Sequence, residues 1–340
     1  MHLIKLLIKP NFERKHQISE VKQKQKIELA MKTKLFILIL TLGVALLIYG
    51  CTKESEITSS LSNADKETIK QIIENDDFIA SVDVALNDGT LLPPNFDSGS
   101  FPKEIYPIRW GRIVKRVIKD YEYEQVNDTL VVVTVTRTVE SDLRIAATYT
   151  QGNTTPDTII TKPLTEVFKR KIQVVKKENA DTTRAKKWRI WAVSLVQGGT
   201  ANSSITIKKI SLTLPNGNVV EVTDPLNTFY RPGFLGHRDG VPSFNPSQPV
   251  KFTVTVQSAT PDTDIVAMTF GVDRFGFHRA RKLFKMVSQS GNEEVYEAEI
   301  KVHLHRGSFN AMLHAISKES LYDDSAPVSV SVWGVPYVVF

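Results

Sequence analysis

Apolar positions along the chain follow three rhythms. Residues 35–50 (LFILILTLGVALLIYG) form one unbroken apolar run without a charge. Ile69, Ile72 and Ile73 then recur at helical spacing behind Ser62 and Asp65, a capping pair, which predicts a short amphipathic helix over residues 63–75. Further on, alternation takes over. Residues 129–139 (TLVVVTVTRTV) are β-branched almost throughout, and Asn127-Asp128 before them is a turn signal, so a hairpin with residues 121–126 is expected. A second strand pair, 164–176 and 187–196, is expected across the polar segment 177–186. Ile113, Val114, Val117, Ile118 and Tyr121 fit one helix face and equally an extended lead into the hairpin.

The small, polar stretch 197–204 (QGGTANSS) has the composition of a linker, and a module boundary is placed there. Beyond it, strand-like runs recur at 205–214, 219–222, 250–257, 265–273, 280–288, 294–303, 308–317 and 328–333. Pro215-Asn216-Gly217-Asn218 reads as a hairpin turn between the first two. Phe252, Val254 and Val256 alternate strictly. This spacing argues for an antiparallel β-sandwich. Residues 226–248 hold no strand signal but contain Pro232, Gly233, Gly236, Gly240, Pro242 and Pro246. A loop of that length is a candidate binding surface anchored by Phe229, Tyr230, Phe234 and Phe244, or else a flap packed over the sandwich end.

At 340 residues the chain has room for two modules, 61–200 and 201–340. The formal charge of +6 invites a search for an anionic partner until its position is considered. Nine of the 43 Lys/Arg and three of the 37 Asp/Glu lie in residues 1–50, which leaves 34 of each sign in residues 51–340. That balance gives no case for nucleic acid. The single cysteine rules out an intrachain disulfide and a Cys-based metal site. Sixteen Phe, nine Tyr and four Trp supply material for a core instead.

That cysteine, Cys51, directly follows the apolar run, with Lys32 and Lys34 ahead of it and small Gly50 at its shoulder. The order is that of a secretory signal, and 16 residues are short of the about 20 that span a bilayer. Ile48-Tyr49-Gly50-Cys51 resembles the lipobox of bacterial lipoproteins, with Tyr49 a less usual residue at its position. The resemblance implies diacylglycerol on the thiol, cleavage before Cys51, and residence in the cell envelope, the outer membrane first. The alternative is an uncleaved anchor helix. Met31 is the expected initiator, since residues 1–30 carry no packing pattern. Residues 51–60 should form a disordered polar tether, whose Lys-Glu-x-Glu start also resembles an acidic surface-export signal.

One helix followed by long strands that close on Trp188 and Trp191 is similar to the cone-shaped α+β fold of nuclear-transport-factor-like and SnoaL-like proteins. The closing runs 309–315 and 328–332 resemble immunoglobulin-like and fibronectin type III-like modules. The expected fold class is therefore mostly β: an α+β cone-like module followed by an antiparallel, Ig-like β-sandwich. The cone resemblance implies a small-molecule cavity. Tyr121, Tyr123, Trp188 and Trp191 are the residues to line it, or else to form core. It also implies, in some members, an Asp–His acid/base pair, yet residues 61–200 contain no histidine.

His303 and His305 stand two apart on an expected strand and so share a face, where His314 would complete a metal site; the bland alternative is a solvated strand face. His237 and Asp239 lie in the long loop with no nucleophile near. No nucleophile elbow, phosphate loop or metalloprotease helix occurs. No cofactor is expected. Three functions remain, in order: an envelope interaction or scaffold lipoprotein whose partners are the membrane and an envelope protein, a small-ligand-binding lipoprotein, and a hydrolase with an unrecognised site.

Overall fold

The computed structural model describes residues 61–76, 78–80, 82, 104–177, 187–214, 216–231, 241–260, 263–272 and 279–340. The signal run, Met31, Ile48 to Cys51 and the tether 51–60 lie outside the described residues, as do Phe234, His237 and Asp239. Contacts gather Ser59–Phe340 into one compact unit. The fold is mostly β and antiparallel, and among the described residues no helix is long and apolar enough to cross a membrane.

Helix α1 (Asn63–Glu74) starts where the capping pair predicts, with the Ser62 hydroxyl accepting the Asp65 N–H at 3.1 Å. It buries Ile69 and Ile73. Strands β1 (Tyr106–Asn127), β2 (Leu130–Thr148) and β3 (Thr158–Lys176) form a long antiparallel meander. The β1–β2 turn is closed by the Asn127 side-chain oxygen, which accepts the N–H groups of Thr129 and Leu130. Residues 113–121, for which helix and strand were both open, are strand throughout, paired from Ile113↔Asp142 to Tyr121↔Val135. Alternation outweighs the helical spacing because every second residue there has a sheet interior to face.

Strands β4 (Trp188–Ser194) and β5 (Val196–Thr200) both pair with β3, β4 at its end and β5 at its middle. On the far side of β5 lies β16 (Val330–Val339), followed by β15 (Gly307–Ile316), β11 (Ile265–Val272) and β12 (Ala280–Leu283). One sheet therefore runs through the expected module boundary. The glycine-rich stretch that reads as a linker is a strand wedged between β3 and β16. Its glycines serve close packing: a Cβ on Gly198 would lie 2.5 Å from the Phe168 ring and one on Gly199 2.1 Å from the Val330 carbonyl oxygen.

A second sheet holds β13 (Lys285–Ser290), β14 (Glu293–Lys301), β10 (Pro249–Ser258), β6 (Ile205–Thr213) and β7 (Val219–Val222) in that order. The two sheets share a core in which Leu212, Phe252 and Val254 meet Phe309, Leu313, Trp333 and Val335. The expected single strand at 280–288 is two, β12 and β13, which belong to different sheets. Buried Phe284 marks the break, its N–H donating to the Val266 carbonyl. The stretch 226–248 carries two short strands, β8 (Phe229–Tyr230) on β4 and β9 (Ser243–Phe244) parallel to β16. Helix α2 (Lys318–Tyr322) links β15 to β16.

The larger sheet curls on itself. Five steps separate β1 from β15, about 24 Å if the sheet were flat at about 4.8 Å per strand. Yet Arg112 on β1 and His314 on β15 approach to 3.4 Å. Trp110, Leu143, Phe168, Val196, Met312 and Val332 fill the interior of the curl. Helix α1 covers a third cluster, with Val133, Ile172 and Trp188.

Candidate functional site

The curl holds a buried polar constellation that the sequence reading missed. Arg112 forms an ion pair with Glu166 at 2.9 Å, both sealed from solvent, and also approaches Nδ1 of His314. A guanidinium only donates, so Nδ1 is the acceptor there. Burial holds the His314 imidazole well below its ordinary range, and the cations Arg112 and Arg281 push it the same way, so the ring is neutral at pH 7. Arg170 donates from Nε to the Ser194 carbonyl at 2.8 Å and faces the Asn310 side-chain oxygen at 3.5 Å. Asn310 in turn donates to the Phe78 carbonyl. Arg137 is buried in the same sheet.

A signal for these residues exists in the strand period. Along β3 the interior positions are Lys162, Leu164, Glu166, Phe168, Arg170 and Ile172, every second residue, so three charges ride an otherwise apolar face. Arg112 sits likewise between Trp110 and Val114. The imidazole neighbours the cations Arg112 and Arg281 inside the curl. Two open hollows among the described residues are lined by other residues.

Those hollows adjoin through Thr200 and Ala201, with volumes of about 510 and about 400 Å³. Thr161 and Thr165 of β3 and residues 324–328 line one; Gln197, Ser203 and Ser331 line the other. At the floor of the first, the Lys162 ammonium donates to the carbonyls of Ser320 (2.9 Å), Ala326 (3.0 Å) and Asp323. Burial pushes this group down to about 8, opposed by Asp323 and Asp324. It stays an ammonium at pH 7 with three donors engaged, which makes it a clamp on the α2–β16 turn and no nucleophile. The groove is thus an open, hydroxyl-rich surface.

The expected aromatic pocket divides. Tyr121, Tyr123 and Trp188 pack in the α1 cluster. The Trp188 indole donates to Asp65 at 2.8 Å, the Tyr121 hydroxyl to Glu74 at 3.0 Å and the Tyr123 hydroxyl to the Lys66 carbonyl at 3.2 Å. Trp191 stands apart, at a register irregularity of β4, with the guanidinium of Arg231 4.0 Å from its ring centre and that of Arg189 at 5.2 Å.

Of the expected loop anchors, Tyr230 and Phe244 are buried in the core between the sheets and Phe229 is half-buried on β8. His303 and His305 lie past the end of β14 rather than on it. Their rings are 6.2 Å apart, and His303 packs edge-on against Phe309 at 4.1 Å. His314 points the other way: Phe309, Leu313 and Ala315 face the inter-sheet core, whereas Met312 and Ile316, in step with His314, face the curl. Alternation on β15 therefore separates the three histidines. No group of three metal-ligating side chains occurs among the described residues. Comparison with protein-family models, curated proteins and solved structures finds no match to this chain.

Proposed function

We propose that this chain is a lipid-anchored lipoprotein of the bacterial cell envelope, acting as a non-enzymatic interaction or scaffold module held at the membrane through acylated Cys51. The observation that carries the reading is the sequence Ile48-Tyr49-Gly50-Cys51 closing a charge-free run of 16 residues. Acyl chains contribute about 0.8 kcal/mol per buried CH₂, so a multiply acylated cysteine is a lasting tether. Residues 201–340 are read as an Ig-like sandwich half and residues 61–200 as a cone-like half, supported by the two facing sheets and by α1 lying over β2 to β4. The groove between Lys162, Thr200 and Ser331 is the surface offered to an envelope partner.

A photoreactive amino acid at Thr165, exposed in the groove, tests this in intact cells. One discrete protein adduct, lost when the same probe replaces Val219 on the second sheet, is the expected result. A retained metabolite with no protein adduct would instead support the ligand-binding alternative, in which the same groove takes a small polar molecule.

A further inference from the structure

Strand β1 ends its sheet: among the described strands it pairs only with β2. Such an edge offers a row of backbone donors and acceptors to any other strand unless something covers or consumes it. Between its register irregularities at Val114/Arg116 and Gln125/Asn127, β1 is regular. Val117 belongs to the interior of the curl, and the hydroxyls of Tyr121 and Tyr123 reach α1. Odd positions therefore face inward, and Arg116, Ile118, Asp120, Glu122 and Glu124 share the outer face.

Charge along that outer face is split by sign. On it Arg116 precedes Ile118, and Asp120, Glu122 and Glu124 follow; ahead of the Val114/Arg116 irregularity, Arg109 and Lys115 add exposed cations. We infer that two copies of this chain join through their β1 edges, antiparallel about a two-fold axis at Ile118. That register sets Arg116 opposite Asp120 of the second copy, twice, and Ile118 opposite itself. Side-chain parity is preserved, because opposed positions in an antiparallel pair share a face. Parallel, in-register pairing would instead stack cation on cation and anion on anion. Glu140 of β2 already lies opposite Arg116 in register, so the pair places this cation between two anions. Lys115 is engaged by Asp142 at 2.7 Å, which leaves Arg116 and Asp120 as the matched pair.

A two-fold pairing of this kind is closed: it consumes the β1 edge of both copies and leaves no β1 edge for a third. The irregularity at Val114/Arg116 limits how far the ladder extends, so the association is short and its register rests on charge. The pairing is independent of the lipid anchor.

Cysteine substitution and charge exchange in the full chain test it. The Ile118→Cys chain should give a disulfide-linked dimer under mild oxidation, at least tenfold above both the unsubstituted chain and Val219→Cys, which sits at the other sheet's edge. Arg116→Glu alone and Asp120→Arg alone should each lower the sedimenting dimer fraction at least fivefold, and the two together should restore it. Equal cross-linking at positions 118 and 219, or no recovery in the double exchange, would overturn the inference. So would sedimentation of the unsubstituted, detergent-solubilised chain as a monomer at micromolar concentration.

Discussion

The Arg112 guanidinium meets the Glu166 carboxylate at 2.9 Å across two strand positions of a sheet that has closed over both of them. Removing one partner of such a pair leaves an uncompensated buried charge, which typically costs about 3–5 kcal/mol. Glu166→Gln is therefore expected to lower unfolding free energy by about that amount, measured by denaturant titration. Arg112→Met together with Glu166→Leu should cost less than the single change, since both charges of the pair are removed together.

Asp65 ties α1 to β4. Burial pushes its carboxyl up, but the Trp188 indole, the Lys187 ammonium and the Ser62 hydroxyl outweigh that and hold it below the usual carboxylate range. A carboxylate whose folded pKa is depressed contributes stability above its unfolded value, near 3.8, and that contribution disappears as pH falls through the lowered folded value. Thermal midpoints followed from pH 6 down to pH 2 should fall more steeply for the unsubstituted chain than for Asp65→Asn. At pH 6 the substitution itself should cost about 1–2 kcal/mol.

Gly199 has φ +141°, and a Cβ there would meet the Val330 carbonyl oxygen at 2.1 Å. Gly199→Ala must push β16 away from β5 at the seam of the larger sheet. A loss of about 3 kcal/mol or more is expected, the range that backbone strain and overpacking produce together. Gly152→Ala, where nothing lies within 4 Å but φ is +82°, should cost about 1 kcal/mol. Calorimetry of the two variants separates strain from crowding.

Local features of the fold are legible in the sequence because local chemistry sets them. The Ser62/Asp65 cap, the Asn127 turn and the alternation in Phe252, Val254 and Val256 each appear where expected. Long-range pairing is not legible in that way. Nothing near Gly198 says that its strand will meet Ser331 and Val332, more than 130 residues away, and small residues suit a linker and a crowded strand equally well. The candidate site was hidden for a related reason. Lys162, Glu166 and Arg170 look like a solvated strand face until their step with Leu164, Phe168 and Ile172 is noticed, and only the curl of the sheet turns that face inward. Of the four aromatic residues expected to line a pocket or form core, Tyr121, Tyr123 and Trp188 pack with α1, where Trp188 finds an acceptor in Asp65, and Trp191 lies apart.

The most direct test of the account concerns the one thiol of the chain. Cells expressing the protein are fed an alkyne-bearing fatty acid, fractionated, and compared with cells carrying Cys51→Ser. The account predicts a labelled protein in the membrane fraction, smaller than the chain translated from Met31, and an unlabelled serine variant that keeps its precursor size. A protein without label, whose size and fractionation are the same with cysteine or serine at position 51, would contradict it.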